Sequence, residues 1–228
     1  MSMRKIPFVP EEFYHIYNRG NSRQTIFLSE ADYARFSALL YLANGTNPFE
    51  FRNLDSDALF DFDRGEQLVA IGAYCLMPNH FHILVTPVIE GGMVTFMRKL
   101  ATGYSMYFNK KHHRTGSLFE GKFKSEHVES DQHLKYLFSY IHLNPVKLIQ
   151  SDWQQVGIKE KERVFQYLQD FRYSSYLDNT LFRPASKILQ REKFPRYFVE
   201  KKDWDTEMNH WLSYKETEDG SYTEVLPP

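Results

Sequence analysis

QLVAIGAYCLMPNHFHILVTPV, residues 67–88, contains two apolar runs that are separated by Pro78 and Asn79. Runs of this length that are rich in β-branched and aromatic residues are typical of strands, and proline followed by asparagine is typical of a turn. The segment therefore predicts a β-hairpin with one strand at 67–77 and its partner at 80–88.

The second strand of this hairpin carries His80 and His82 with Phe81 between them. Because successive side chains of a strand point to opposite faces, the imidazoles are expected about 7 Å apart on one face and the phenyl ring on the other. Such a pair can hold a metal ion, and it can equally be two polar residues on a solvated face of a sheet. The pattern alone leaves both interpretations open.

Strand and helix patterns alternate on both sides of the hairpin. Aromatic and β-branched residues are frequent in the strand segments, and apolar residues recur every three or four positions in the helical ones. Ser29 and Asp131 are candidate N-caps of the first and third helices, and the third stops near Pro145. The predicted segments outside the hairpin are strand 13–21, helix 29–45, an irregular insertion at 47–66, helix 91–113, strand 123–128 and helix 131–149.

The resulting order, β-α-β-β-α-β-α, predicts an α+β fold. Its first six elements fit a ferredoxin-like split βαβ core, in which an antiparallel sheet carries helices on one face. The third helix is appended to this core, and residues 151–228 predict a helical C-terminal extension with a flexible tail. We therefore expect a core domain at 1–150 and the extension at 151–228.

The composition fits a globular chain without a general affinity for nucleic acids. Of the 228 residues, 42% are hydrophobic and 25% are charged, and the net charge is −1. A nucleic acid would therefore have to bind a local basic patch. The single Cys75 excludes a disulfide framework and a cysteine-rich zinc site. No apolar run has membrane-spanning length and no signal peptide is recognisable, so we expect a cytoplasmic protein without a membrane partner.

Residues 98–124 form a basic block in this near-neutral chain. The block contains seven lysines and arginines but only one acid, Glu120, and Phe119 and Phe123 are interspersed among the basic residues. This imbalance favours DNA contact over a merely solvated helix face. NRGNSR at 18–23 forms a second, smaller patch. The candidate DNA-binding residues are Arg19, Arg23, Arg98, Lys99, Lys110, Lys111, Arg114, Lys122 and Lys124.

Tyr140 and Asn144 lie four residues apart in the third helix and therefore share one face of it. If that helix packs on the sheet near His80 and His82, the Asn144 amide oxygen completes a His, His, Asn ligand set. Such mixed donors suit Mn²⁺ or Mg²⁺ in reactions at phosphate, although imidazoles also accept Zn²⁺, Ni²⁺ or Co²⁺. Because Asn144 precedes Pro145, it can instead, or in addition, be the C-cap of the helix.

Four stretches, taken in order, carry a family resemblance. NHFHILV resembles the His-apolar-His motif of the HUH nuclease superfamily, and the full set resembles the single-tyrosine transposases, in particular the REP-associated tyrosine transposases. The resemblance spans residues 13–149 and continues weakly at 171–177. The four stretches are YHIYNRGNSRQTIF, YCLMPNHFHILV, HHRTGSLFEGKFKS and YLFSYIHLNPVK.

The resemblance implies metal-dependent cleavage and joining of single-stranded DNA near short hairpins, without a small-molecule cofactor. Tyr140 matches the family's nucleophile, which would leave a 5′-phosphotyrosine and a free 3′-OH. His80, His82 and Asn144 match the ligands of a divalent metal, Mg²⁺ or Mn²⁺. Tyr136, one turn before Tyr140 on nearly the same face, is the alternative nucleophile.

Two other functions fit parts of the sequence. A domesticated relative would bind hairpin DNA without turnover, although all four motif residues are present. A metal-dependent phosphoesterase would use water on a small nucleotide, which leaves the long basic block unexplained. We expect a monomer rather than a homodimer, because Tyr140 follows directly on a compact core. The acidic segments at 50–66 and 216–224 are expected to point away from DNA. Alternatively, the tail at 216–224 occupies the DNA groove and inhibits DNA binding.

Overall fold

The computed structural model describes residues 7–180, 183–198 and 200–213, so the acidic tail at 216–224 lies outside the described residues. None of the helices in these ranges is long and apolar enough to cross a membrane. The strands and α-helices are, in chain order, β1 (Tyr14–Arg19), α1 (Glu30–Leu42), β2 (Val69–Met77), β3 (His80–Pro87), α2 (Gly92–Lys111), β4 (Lys124–His127), α3 (Asp131–Leu143), α4 (Trp153–Val156), α5 (Lys161–Asp170), α6 (Tyr176–Thr180) and α7 (Lys201–Ser213).

The four strands form one antiparallel sheet in the order β2-β3-β1-β4. β2 and β3 are the predicted hairpin, with Pro78 and Asn79 at its turn. β1 lies between β3 and β4, so that Tyr17 is opposite His82 on one side and Lys124 on the other. This arrangement confirms the predicted α+β fold with a ferredoxin-like split βαβ core.

A β-bulge at Gly72 decides which residues of β2 face each side of the sheet. The register with β3 shifts between Ile71 and Ala73. A Cβ atom at position 72 would come within 2.7 Å of the Phe194 ring, so only glycine allows the C-terminal segment to approach β2 this closely.

Helices α1 and α2 cover one face of the sheet, as predicted. α1 begins at the predicted N-cap, Ser29, which forms a capping box with Asp32. Aromatic and aliphatic side chains from both helices and from alternate strand positions form a dry core beneath them. Its fully buried members include Ile16, Phe36, Phe81, Ile83, Phe96 and Tyr104.

Helix α3 packs on β2 and β3 from the opposite face. Its apolar side, which includes Leu137 and Ile141, joins a second core with Ala73, Cys75 and Leu84 of the sheet. Because α3 contacts chiefly β2 and β3, its exposed flank lies beside the β1–β4 half of this face.

The predicted N-cap of α3, Asp131, is wrong. Ser130 has an extended backbone, and its hydroxyl accepts a hydrogen bond from the His133 N–H at 3.1 Å. Asp131 lies in the first turn, where a carboxylate is favoured by the helix dipole, and it accepts a hydrogen bond from the Tyr197 hydroxyl. Serine is as good an N-cap as aspartate, and the sequence SD leaves the choice to the local backbone.

The C-terminal extension is helical in its described part, as predicted, and it wraps around β2. The Leu76 N–H donates to the Tyr173 carbonyl at 2.8 Å, and the Gln190 N–H donates to the Ile71 carbonyl at 3.0 Å. Apolar residues of the extension join both cores. The domain boundary near residue 150 stays a prediction.

Candidate active site

His80 and His82 face α3, and Phe81 between them is buried in the core under α1 and α2. The two imidazole centroids are 5.0 Å apart. The Tyr140 ring of α3 lies 5.7 Å from the His82 ring. The structure therefore brings together the two histidines and the tyrosine that the sequence predicted as one site.

The hairpin turn fixes His80. Its Nδ1 lies 2.6 Å from the Asn79 side-chain oxygen, and the Asn79 amide nitrogen donates to the Arg23 carbonyl at 3.3 Å. Because the amide is anchored in this direction, its oxygen accepts a hydrogen from Nδ1. The lone pair of neutral His80 is therefore on Nε2, which has no hydrogen-bond partner among the described residues.

His82 contacts a third histidine that sequence reasoning missed. His15 Nε2 lies 2.8 Å from His82 Nδ1, and both rings are buried. Strand alternation in YHIYNR already placed His15 and Tyr17 on one face, and the predicted split βαβ core placed β1 next to β3. The sequence had no signal for the register that brings His15 to His82. The pairing joins residues 67 positions apart in the chain.

Glu126 of β4 lies at the far side of His15. The Tyr17 hydroxyl donates to its Oε1 at 2.6 Å, and its Oε2 is 3.6 Å from His15 Nδ1. The His15 contact lowers the pKa of the Glu126 carboxyl, and the Tyr17 hydroxyl adds to this against the opposite effect of burial. Burial and then Glu126 raise the pKa of Tyr17 to about 12. Glu126 is thus an anion and Tyr17 a neutral phenol.

Both motif histidines are neutral at physiological pH. Burial, followed by the charges of Lys147 and Arg19, lowers the pKa of His80 to about 4. Burial also lowers the pKa of His82, well below its usual range, and the neighbouring imidazoles and Lys147 act in the same direction. Neutral imidazoles are the form that binds metal ions.

Asn144 closes the site from the end of α3. Its amide nitrogen donates to the Tyr140 carbonyl at 2.9 Å, and it is the C-cap residue of the helix. Its side-chain oxygen is buried and has no hydrogen-bond partner among the described residues. An unpaired buried acceptor is costly, so this oxygen is suited to a ligand. The C-cap role and the ligand role are compatible in this geometry.

Two imidazoles and one amide oxygen are donors that a divalent cation accepts. Within the described ranges, no group of three or more His, Cys, Asp or Glu side chains is placed to hold a metal ion. A metal at this site therefore depends on the Asn144 oxygen, with water or phosphate oxygens completing the coordination.

The two candidate tyrosines have different surroundings. Tyr140 is half-buried, and its ring is 6.0 Å from the His15 ring. Tyr136 is only 8% exposed, and its ring packs against Trp211 of α7 at 5.1 Å. Burial raises the pKa of both phenols, and Glu126 contributes second at Tyr140. Tyr140 is the more accessible of the two and the closer to the histidines.

Lys147 is a second residue of the site that sequence reasoning missed. Its Nζ lies 5.7 Å from the centre of the Tyr140 ring, and burial lowers its pKa. The available signal was its spacing, because Lys147 follows Tyr140 by seven positions and Asn144 by three, both helical intervals.

The predicted DNA-binding residues divide between the two faces of the molecule. Arg19, on the site face of β1, pairs with Glu120, and Arg23 and Lys122 are exposed in nearby loops. Lys124 on β4 lies 6.0 Å from the Tyr17 ring. The others belong to α2 or to the loop that follows it, and α2 packs on the opposite face; they are Arg98, Lys99, Lys110, Lys111 and Arg114.

Three members of this second group contact the protein itself. Lys99 donates to the Gly45 carbonyl, and Arg114 donates to the Asn109 side chain at 3.1 Å. Lys111 donates to Asp32 at 2.7 Å. The number of charges along the sequence carries no signal for the side of the sheet on which each basic side chain lies. DNA contact by all nine residues stays a prediction.

Residues 64–144 match a family model described as "Transposase IS200 like". Over this segment the chain is similar to the IS200-like transposases. The match covers about a third of the chain and contains His80, His82, Tyr140 and Asn144. The predicted resemblance to single-tyrosine transposases is thereby confirmed. The first strand, with His15, lies outside the matched segment.

The chain was also compared with solved structures. The structure described as "Structure of the REP associates tyrosine transposase bound to a REP hairpin" aligns with a TM-score of 0.49 at 14% identity. The alignment covers 78% of this chain and 85% of that one. No curated protein matches the chain.

Proposed function

We propose that the protein is a transposase that cleaves and joins single-stranded DNA through Tyr140. The observation that carries this proposal is the position of Tyr140. Its ring lies 5.7 Å from the His82 ring, and its carbonyl accepts a hydrogen bond from Asn144, whose side-chain oxygen is buried and unpaired among the described residues. The family match supports DNA cleavage and joining as the class of activity. The histidines alone, or the buried amide alone, would be weaker support, because each of these features also occurs in proteins where it has no catalytic role.

His80, His82 and Asn144 would hold the divalent metal, Mg²⁺ or Mn²⁺. When bound, such an ion stabilises the negative charge that develops on a non-bridging phosphate oxygen during displacement. The protein's own contribution is to present two Nε2 lone pairs and one amide oxygen at the edge of a dry core. None of these three residues is a carboxylate. Binding of Mg²⁺ or Mn²⁺ would therefore need phosphate oxygens as further ligands.

Tyr140 would act as the nucleophile. Its phenol loses a proton, the phenolate oxygen bonds to phosphorus, and the bond from phosphorus to the 3′ oxygen breaks. The products are a 5′-phosphotyrosine and a 3′ oxygen that takes up a proton. The Lys147 ammonium, 5.7 Å from the ring, favours the phenolate. Because the phosphodiester energy is retained in the covalent bond, rejoining needs no ATP.

The DNA strand would lie on the β1–β4 half of the sheet face, beside α3. Exposed or half-exposed cations border this area, and the exposed edge of Tyr17 offers a surface for a base. The substrate class, single-stranded DNA near a hairpin, follows from the motif resemblance. The cations on this side are Arg19, Arg23, Lys122, Lys124 and Lys147.

A protein that binds hairpin DNA without turnover is the second candidate. It would retain the basic border and lose at least one of the reacting groups. The convergence of His80, His82, Tyr140 and Asn144 favours the enzyme, since a binding protein has no need for an unpaired buried amide oxygen.

A denaturing gel tests the proposal. The full chain is incubated with end-labelled single-stranded hairpin DNA from its own genome and Mn²⁺ or Mg²⁺. We expect a covalent protein–DNA band with wild type and with Tyr136→Phe, and none with Tyr140→Phe or His82→Ala. Tyr136→Phe is the matched control, because it removes a phenol one turn away in the same helix.

Other results would change the assignment. A band that survives in Tyr140→Phe and disappears in Tyr136→Phe would move the nucleophile to Tyr136. DNA binding in a native gel without any covalent band, for all metals tested, would support the binding protein instead.

A further inference from the structure

Three side chains form a continuous path across three strands, from the candidate metal ligand His82 to the carboxylate of Glu126. His82 Nδ1 lies 2.8 Å from His15 Nε2, and His15 Nδ1 lies 3.6 Å from Glu126 Oε2. Both imidazoles are at least nine-tenths buried. Neither His15 nor Glu126 belongs to the ligand set, and the proposed reaction assigns no role to either.

The strand register creates this path. His15 of β1 is directly opposite Glu126 of β4, and Tyr17 is directly opposite His82 of β3. His15 and His82 are therefore diagonal neighbours on one face, within reach of each other's rings. Tyr17 holds the second oxygen of Glu126 at 2.6 Å, which restricts the rotation of that carboxylate.

The charge at one end determines the hydrogen positions along the path. An ionised Glu126 attracts a hydrogen on His15 Nδ1, which leaves His15 Nε2 as an acceptor. His82 must then donate from Nδ1, because a 2.8 Å contact between two ring nitrogens needs one hydrogen between them. The remaining lone pair of neutral His82 is on Nε2.

We propose that His15 and Glu126 are positioning residues that hold His82 as its Nδ1–H tautomer with the Nε2 lone pair available to a metal ion. A free neutral imidazole prefers its hydrogen on Nε2, where that hydrogen would block a ligand. His80 obtains the same tautomer from Asn79 in the turn. His82, in the middle of β3, obtains it from the neighbouring strands. The consequence for metal binding rests on the proposed function, whereas the tautomer does not.

The first test measures the tautomer in the metal-free full chain. Long-range ¹H–¹⁵N spectra of histidine-labelled protein at pH 7.5 distinguish Nδ1–H from Nε2–H. We expect Nδ1–H at His82 in wild type and a shift toward Nε2–H in His15→Phe. His15→Gln should restore Nδ1–H, because its side-chain oxygen occupies the place of the imidazole Nε2. Packing alone predicts the opposite order, since phenylalanine fills a buried ring site better than glutamine does.

The second test measures Mn²⁺ affinity by electron paramagnetic resonance, without DNA. Loss of an outer partner of a ligand histidine typically weakens metal binding 10- to 100-fold. We expect this loss in His15→Phe, a smaller loss in Glu126→Gln, and an affinity near wild type in His15→Gln. Glu12→Gln is the matched control, because Glu12 binds the imidazole of His127 at 2.7 Å in a pair of the same chemistry.

The outcomes separate the two proposals. His82 as Nε2–H in the wild type, or an unchanged tautomer in His15→Phe, would overturn the positioning role. Wild type that binds no Mn²⁺ but keeps His82 as Nδ1–H would support the positioning role and remove the metal from the proposed function. Thermal melting shows whether each variant is folded at the temperature of the measurement. The tautomers of the Phe and Gln variants can still be compared if both have a lowered melting temperature but remain folded.

Discussion

The α1–α2 face and the α3 face of the sheet are built from alternate residues of the same strands, and they treat buried polar atoms differently. Under α1, the fully buried Asp32 accepts hydrogen bonds from Lys111, Tyr107 and two backbone N–H groups. On the α3 side, the Asn144 oxygen has no hydrogen-bond partner among the described residues. The buried carboxylate of the first face is fully hydrogen-bonded within the protein, and the buried amide oxygen of the second is not.

The same contrast holds for charge. Lys99 and Lys111 of α2 are bound to the protein, to Gly45 and Asp32. On the other face, Lys147 is held near a phenol ring rather than near a carboxylate. Counting charges along the sequence does not distinguish these situations, because α2 places its lysines on the side away from the histidines. A basic block in the sequence therefore does not show on which face of the sheet its charges lie.

Adjacent residues of β3 should give the largest difference between the faces. Phe81→Ala opens a cavity in the dry core and should lower the free energy of unfolding by about 3–5 kcal/mol. His82→Ala should lower it by about 1–3 kcal/mol, because it leaves the buried His15 Nε2 without its partner, and should abolish the Mn²⁺ signal. Urea unfolding and Mn²⁺ titration of both variants test this. Equal losses of stability would show that both faces are structural.

Asp32 should make the stability of the α1–α2 face sensitive to acid. Burial alone would raise the pKa of Asp32, but hydrogen bonds, chiefly from Lys111 and the Leu28 N–H, bring it down to about 2. Because this value lies below the unfolded value of 3.8, the stabilisation is full above pH 4 and is lost as the pH falls toward 2. Its size is about 2 kcal/mol.

Asp32→Asn is the variant that isolates this effect. It should be less stable than wild type at pH 7 by about 2 kcal/mol, and the difference should shrink between pH 4 and pH 2. Urea midpoints at several pH values measure it, with Asp152→Asn as an exposed control. A difference that stays constant over this range would mean that Asp32 acts as a helix cap without any contribution from its charge.

A matched pair of double variants should give the smallest effect and the sharpest test of the two faces. Arg23→Gln with Lys122→Gln removes two exposed charges near the site, and Arg98→Gln with Lys110→Gln removes two from α2. For single-stranded DNA, each lost phosphate contact reduces the salt slope of log K by about 0.7. We expect a reduction of about 1.4 for the first pair, and no change for the second. Equal reductions would place DNA on both faces.

Much of the fold and the central site could be predicted from the sequence, because they depend on local periodicity. His80, Phe81 and His82 alternate, and the hairpin turn and the helical segments have strong local signals. Tyr140 and Asn144 share a helix face for the same reason. The predicted core already placed β1 next to β3, but the contact between His15 and His82 also depends on the register of these strands, for which the sequence has no signal. Ser130 rather than Asp131 is the N-cap because of the local backbone geometry. The sequence could not show this, since serine and aspartate are equally good N-cap residues.

The C-terminal segment that follows β2 has a consequence for self-association. An exposed edge strand presents unpaired N–H and C=O groups that another chain can bind, and native proteins commonly cover such edges. Here the Leu76 N–H and the Ile71 carbonyl of β2 are already occupied by the chain's own Tyr173 and Gln190. At the other edge, β4 is only four residues long. Addition of a second copy along β2 would have to displace these hydrogen bonds, and β4 is the shorter template at the other edge of the described sheet.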